Sequence, residues 1–259
     1  MSPEVIANPV RQPTKTERLM RSMAFLSAYG IFAGLGVVSS VLCYVAAILF
    51  KGARSQYFGQ AIISGLFRFF VEYLRFFGLV YVEAGELANV RNCRGVIFVA
   101  NHPTLLDVVH ITAYLPRVFC LMKASLTNNL VLSGQSLLAG YVNNASGIGL
   151  VKACEERINK GGNLLIFPEG TRSDGTRLRP FRMGFALVAK RSRVPVQALL
   201  ISVSENYLGK TWPFFKQPKF PMSFSIKLGE RFEARQNEDA KAFGGRVESY
   251  FRESLARGA

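Results

Sequence analysis

Residues 23 to 50 read MAFLSAYGIFAGLGVVSSVLCYVAAILF and contain no charged side chain. A helix crosses the hydrocarbon core of a bilayer with about 20 apolar residues, so this run is long enough to span. It is too long for the apolar part of a secretory signal, which is about 7–15 residues, and about twenty residues precede it. A core helix of a soluble domain seldom avoids charge for so long. The expectation is membrane insertion, and it divides the chain into three parts. Residues 1–22 are a basic tail whose first 14 positions hold three prolines and are expected to be disordered. Residues 23–83 are membrane-directed, and residues 84–259 form the globular domain.

The flanks leave two topologies open. Arg11, Lys15, Arg18 and Arg21 precede the run, and Lys51 and Arg54 follow it. Basic residues on both sides defeat a simple positive-inside assignment. One solution is a single span; the other is a helical hairpin that returns, leaving both flanks on the cytoplasmic face. Residues 56–83 are aromatic-rich with few charges, and Arg68, Glu72 and Arg75 fall at i, i+4 and i+7 on one helical face. Such a helix either lies at the bilayer interface with its Arg stems snorkelling or packs on the domain.

Charge narrows the partners. The 259 residues carry 32 Lys+Arg against 17 Asp+Glu, a net charge of +15. That excess suits nucleic acid, an acidic carrier protein or an anionic membrane surface. The charge-free run favours the membrane and counts against nucleic acid. The stretch KTWPFFKQPKF, residues 210–220, interleaves cations with aromatics and holds the only Trp. Nucleic-acid stacking platforms look similar; beside a membrane segment it reads as an interfacial loop touching headgroups. Cys43, Cys93, Cys120 and Cys154 are far apart and form no C-x-x-C pair, so free thiols are expected rather than disulfides or zinc.

From about residue 85 short apolar runs alternate with amphipathic stretches. Strands are predicted at 95–101, 117–122, 163–168, 194–203 and 223–232. Helices are predicted at 104–115, 148–160, 182–192 and 238–257. Most of the strands are nearly continuous apolar runs, the pattern of strands buried on both faces. The fold class is therefore α/β, with a mixed, mainly parallel central sheet flanked by helices, plus the N-terminal membrane helix or hairpin. Such sheets place their sites at the carboxyl ends of strands.

Two such ends stand out. GVIFVA runs into Asn101-His102-Pro103, with Thr104 as a possible helix N-cap and Asp107 about one turn on. An acid bonded to one imidazole nitrogen orients the ring and stabilises the imidazolium, leaving the other nitrogen to take a proton. No G-x-S-x-G elbow accompanies the pair; GQSLLAG at 134–140 fails at its last position. The histidine is then expected to activate a substrate hydroxyl directly. A capping Asp beside a structural His is the competing explanation. His110, eight residues on, has no acid at matching spacing and is read as structural or partly exposed. The second end is NLLIFPEGTRS, where Gly170 permits close backbone approach, Thr171 and Ser173 offer hydroxyls, and Arg172 offers a planar donor fork for an anion. Arg177, Arg179 and Arg182 add positive charge nearby.

Together, in this order, the two clusters resemble the glycerolipid acyltransferase family, whose best-known members are 1-acylglycerol-3-phosphate acyltransferases. The His-x-x-x-x-Asp block matches His102 and Asp107, commonly preceded by Asn, here Asn101. Phe-Pro-Glu-Gly-Thr-Arg-Ser matches residues 167–173, and Val194-Pro195-Val196 resembles a later block. The resemblance covers roughly residues 80–235. It implies that His102 deprotonates a lipid hydroxyl, oriented by Asp107, and that the oxygen attacks an acyl-CoA or acyl-carrier-protein thioester. It implies that Asn101, Glu169, Gly170, Thr171 and Arg172 shape the acceptor site, and that no metal or prosthetic cofactor is needed. It implies a membrane lipid acceptor; with the charge excess and the hairpin, the expected partners are that lipid, an anionic membrane surface and an acyl-carrier protein, with the catalytic domain on the cytoplasmic face. The family's second block usually carries an Arg for the acceptor phosphate. Residues 137–149 offer Tyr141, Asn143 and Asn144 with no Arg or Lys, although Lys123 and Lys152 flank the block. The leading acceptor is 1-acyl-sn-glycerol-3-phosphate or a related lysolipid. The alternatives are an ornithine lipid, glycolipid or polyene-type lipid, or a catalytically silent lipid-binding protein on the same fold.

Overall fold

The computed structural model describes residues 13–49, 53–122, 142–143, 147–173, 178–213 and 215–258. Most of the basic tail with Arg11, Lys51, Lys123, the 134–140 stretch, Tyr141, Asn144 and Arg177 lie outside the described residues, as does most of the 137–149 block. Helix α1 (Lys15–Leu49) opens with a reciprocal cap. Thr14 N–H donates to Glu17 Oε2 at 2.7 Å, and Glu17 N–H donates to Thr14 Oγ1 at 3.2 Å. Helix α2 (Ala53–Phe76) runs back along it. Tyr73 donates to the Ala24 carbonyl at 3.0 Å, while Phe32 lies 6.2 Å from Phe67 and 5.2 Å from Phe70. Rising numbers on α1 meet falling numbers on α2, so the two form the antiparallel hairpin. Further along, the small groups Ser39, Ser40, Cys43 and Ala46 are buried on α1, with Gln60, Ile63 and Ser64 on α2. Small side chains let helix backbones approach closely.

The stretch 56–83 does more than one thing. Phe70, Val71 and Leu74 of α2 are buried against the domain, whereas Phe69 and Phe76 stay exposed at 58% and 83%. The helix ends where Gly78 takes a φ of +62° and Leu79 N–H bonds back to the Leu74 carbonyl. The next element is a strand, β1 (Val80–Glu83), and not more helix as the sequence suggested. A short 3-10 turn, Gly85–Val90, leads onward.

The remaining elements are β2 (Ile97–Ala100), α3 (Asp107–Tyr114), β3 (Val118–Met122), β4 (Val142–Asn143), α4 (Gly147–Asn159), β5 (Asn163–Ile166), α5 (Gly184–Ser192), β6 (Val196–Val203), β7 (Met222–Phe232) and α6 (Ala240–Ala256). The described strands form one sheet in the order β1-β7-β6-β2-β5-β3-β4. Every pairing is parallel except β6 with β7, so the sheet is mixed and mainly parallel as expected.

The central strand β2 shows why the apolar runs are continuous. Ile97, Phe98, Val99 and Ala100 are all fully buried. Phe98 and Ala100 join the core layer under α1, α2 and α3, and Ile97 and Val99 join the layer under α4, α5 and α6. Successive side chains point to opposite faces, and both faces are covered. Each large side chain so buried contributes roughly 1.5–3 kcal/mol. The cysteines are free thiols: Cys43, Cys120 and Cys154 are buried and Cys93 is half-buried.

Candidate active site

Strands β2 and β5 are parallel neighbours, with Val99 opposite Ile166. Their carboxyl ends therefore release Asn101-His102 and Phe167-Pro168-Glu169 side by side. The helix after β2 starts later than expected. Thr104 is not its N-cap; the N-cap position is Leu106 and carries no side-chain cap. The turn is instead tied by Asp107, whose Oδ2 accepts from Thr104 N–H at 2.9 Å, and by Thr104 Oγ1, which accepts from Leu106 N–H at 2.8 Å. This compact turn brings residues five apart together.

His102 Nδ1 and Asp107 Oδ2 are 2.7 Å apart. Asp107 is fully buried, and the His102 side chain keeps 14% of its surface exposed. Burial is the largest influence on Asp107 and pushes its carboxyl up to about 6; the His102 contact and the Thr104 bonds pull the other way. A carboxylate at Nδ1 assigns the proton there and leaves Nε2 to accept one from a substrate.

The second cluster holds the histidine by three separate contacts. The Phe167 ring stacks on the imidazole, centroids 4.1 Å apart and planes 23° apart. His102 N–H donates to Glu169 Oε1 at 2.9 Å, and Ser173 N–H donates to the His102 carbonyl at 2.8 Å. Glu169 is 5% exposed, and its Oε2 accepts from Arg179 N–H at 3.0 Å. Both of its oxygens thus serve the scaffold, where the resemblance had placed it against the acceptor. Asn101 is turned inward too. Its amide donates to the Ile201 carbonyl and accepts from Ile201 N–H, both at 2.8 Å, extending the β2–β6 pairing by one side chain.

The other residues of that block lie nearer the surface. Gly170 is exposed with a φ of +70°, and a Cβ there would come within 2.8 Å of Arg182 Nε. Glycine is required on both counts, since the left-handed conformation is costly for other residues. Thr171 is half-buried. Arg172 donates one N–H to the Leu208 carbonyl at 2.7 Å; its fork has five donors, so others remain for an anion.

An apolar cavity of about 110 Å³ adjoins this group. Leu105 and Leu106, from the turn between His102 and Asp107, form one wall with Leu208; Phe25, Tyr29 and Phe70 of the helical hairpin form another. Sequence reasoning missed this use of the hairpin, because nothing in an apolar run says what its inner face will enclose. His110 is settled as structural and is not partly exposed. It is fully buried, its ring stacks on Phe224 at 4.0 Å, and burial lowers its pKa to about 4.

A histidine-carboxylate pair at one strand end, braced by the loop at the next, can take a proton from a hydroxyl beside a group that holds an anion. Comparison with known proteins agrees. The family model "Acyltransferase" matches residues 82–202. A 1-acyl-sn-glycerol-3-phosphate acyltransferase of Helicobacter pylori is 27% identical over 133 residues, which are 49% of this chain and 56% of that protein. A lyso-ornithine lipid O-acyltransferase of Pseudomonas aeruginosa is 32% identical over 111 residues, 41% of this chain and 43% of that protein. The matched stretch thus spans about half the length of these relatives. The crystal structure of PlsC, the 1-acyl-sn-glycerophosphate acyltransferase of Thermotoga maritima, shares the fold with a TM-score of 0.72. It is 19% identical and is covered over 97% of its length by 93% of this chain. Residues 82–202 thus match the Acyltransferase family, and the chain is similar in sequence to 1-acyl-sn-glycerol-3-phosphate acyltransferases and in fold to PlsC.

Proposed function

We propose that the protein moves a fatty acyl chain from an acyl thioester, acyl-CoA or acyl-carrier protein, to a lipid hydroxyl. The observation that carries this is the His102–Asp107 pair, braced by Phe167, Glu169 and Ser173 and opening beside an apolar cavity. His102 Nε2 takes the hydroxyl proton as the oxygen attacks the thioester carbonyl carbon. The carbon–sulfur bond then breaks, and the proton held by the imidazolium goes to the departing thiolate. Asp107 stabilises that imidazolium. The step needs no covalent enzyme intermediate, metal or prosthetic group. Arg172 meets the acceptor's anionic head, with Gly170 and Thr171 shaping the approach, and the cavity receives an acyl chain.

The favoured acceptor is 1-acyl-sn-glycerol-3-phosphate or a related lysolipid. A second acceptor class has its own support: residues 137–149 carry no Arg or Lys, and one relative is named for a lyso-ornithine lipid. Among the described residues one helix, Lys15–Ala46, is long and apolar enough to cross a membrane. The proposed location is a membrane, with the hairpin inserted and the catalytic domain on the cytoplasmic face. Lipid mass spectrometry with and without active protein tests the activity and its acceptor. Gain of an acyl chain by one lipid class supports the reading and names the acceptor. Lipid binding without thioester consumption, across lysophosphatidic, ornithine and glycolipid acceptors, refutes it in favour of a silent lipid-binding protein.

A further inference from the structure

The Lys210–Phe220 loop is welded to one short stretch of α1. Ser22 Oγ lies 3.3 Å from Gln217 Oε1, Arg21 donates to the Phe220 carbonyl at 3.3 Å, and the rings of Phe25 and Phe220 are 5.5 Å apart. Tyr29 meets Phe215 at 5.6 Å. The loop therefore lies level with residues 21–29. That is where α1 changes character: Arg21 is its last charge, and the charge-free run begins at Met23. A bilayer boundary falls at such a change. Phe215, alongside Tyr29, sits roughly 9 Å further along the apolar side at 1.5 Å per residue. Interfacial elements bury their apolar faces about 5–10 Å deep.

The loop has the chemistry for that depth. Phe215 is 74% exposed, and Leu19, Met23 and Leu26 on the adjoining α1 face are 63%, 64% and 63% exposed. Trp212 donates its indole N–H to the Lys216 carbonyl at 2.9 Å, and the Lys216 ammonium lies 5.1 Å from the indole ring. Lys210, Lys216 and Lys219 are exposed, as are Lys15 and Arg18 on α1. Nearby acids are few: Glu17 serves the α1 cap, and Glu205 accepts from Lys219 N–H. Exposed apolar and aromatic groups ringed by cations fit lipid tails below anionic headgroups.

We propose that this loop and the Leu19–Met23–Leu26 face form a docking surface for an anionic bilayer, setting the active site at headgroup level. The loop reaches that site directly, since Tyr207 packs on Trp212 at 5.9 Å and Leu208 accepts from Arg172. The proposal deepens the membrane reading above, and its test does not depend on catalysis.

Trp212 is the sole tryptophan, so the wild-type chain reports its own depth. Full-length protein is placed in phosphatidylcholine vesicles with and without phosphatidylglycerol, using lipids brominated near the headgroup or near the chain end. The expected result is strong quenching by the shallow bromines, weak quenching by the deep ones, and protection from aqueous acrylamide, all increased by phosphatidylglycerol. The double variant Lys216→Ala, Lys219→Ala lowers loop docking on anionic vesicles by roughly fivefold per lysine. It leaves turnover of detergent-dispersed substrate unchanged. Trp212 open to acrylamide and unaffected by either bromolipid overturns the proposal, as does protection by a second copy of the chain without bromolipid quenching. Normal shallow quenching in a protein that transfers no acyl chain leaves docking intact and refutes the function instead.

Discussion

Replacing Asp107 by Asn separates catalysis from stability, because its two effects on stability have opposite signs and its effect on catalysis has no counterweight. Asp107 Oδ2 accepts from His102 and Thr104, while Oδ1 is buried without a partner. An asparagine keeps both bonds only with its carbonyl at the Oδ2 position. Its NH2 then occupies the place of Oδ1, and a stranded buried donor costs about 1–3 kcal/mol. Against that stands a penalty removed. The folded Asp107 pKa is about 6 against an ordinary 3.8. A raised carboxyl pKa favours the fold most below pH 3.8, and that advantage is lost as pH rises through 6. Above pH 7 the ionised side chain thus costs at most about 3 kcal/mol. The two contributions nearly cancel, so Asp107→Asn should unfold at pH 8 within a few degrees of wild type. Catalysis has no such offset, because a neutral amide cannot stabilise the imidazolium. Acyl transfer should fall by roughly 10²–10⁴-fold. The assay is thioester-dependent acylation beside thermal unfolding on the same preparation. Activity within threefold of wild type refutes the dyad, and a collapsed transition temperature refutes the stability argument.

Other consequences come from the same geometry. Wild-type activity should drop as pH falls through about 6, where Asp107 gains a proton, and a rate flat from pH 8 to 5 counts against that. Gly170→Ala places a Cβ against Arg182 in a left-handed conformation; it should cost about 1–3 kcal/mol in chemical denaturation. Asn101→Ala strands both backbone groups of Ile201 and should cost about 2–4 kcal/mol by the same measurement, with little change in KM for the acceptor if the side chain touches no substrate. Ala28→Leu narrows the apolar cavity; acyl-chain profiles of the product should shift toward shorter chains, and an unchanged profile removes the cavity from chain selection.

The parts of the fold that show in sequence are those whose environment is uniform along the element. Strand β2 is covered on both faces, so its four buried residues appear as an unbroken apolar run. Strand β1 was missed because it is four residues at the sheet edge, joined to an aromatic helix, and only Val80 is fully buried. Gly78 was the available signal for that boundary. The strand order is a long-range property that no local pattern encodes. At the site, the residue types and spacing of His102 and Asp107 were legible. The inward bonds of Asn101 and Glu169 were not, since a polar residue at a strand end serves substrate or backbone equally well in sequence. Thr104 does bond the backbone ahead of it, accepting from Leu106 N–H, but it closes a turn through Leu105 and Leu106 and the helix N-cap falls two residues later, at Leu106.

The most direct test of the central claim is thioester-dependent lipid acylation by full-length His102→Ala against wild type in reconstituted vesicles. Turnover should fall by roughly 10²–10⁴-fold with membrane association intact. Turnover within a few-fold of wild type would contradict the claim.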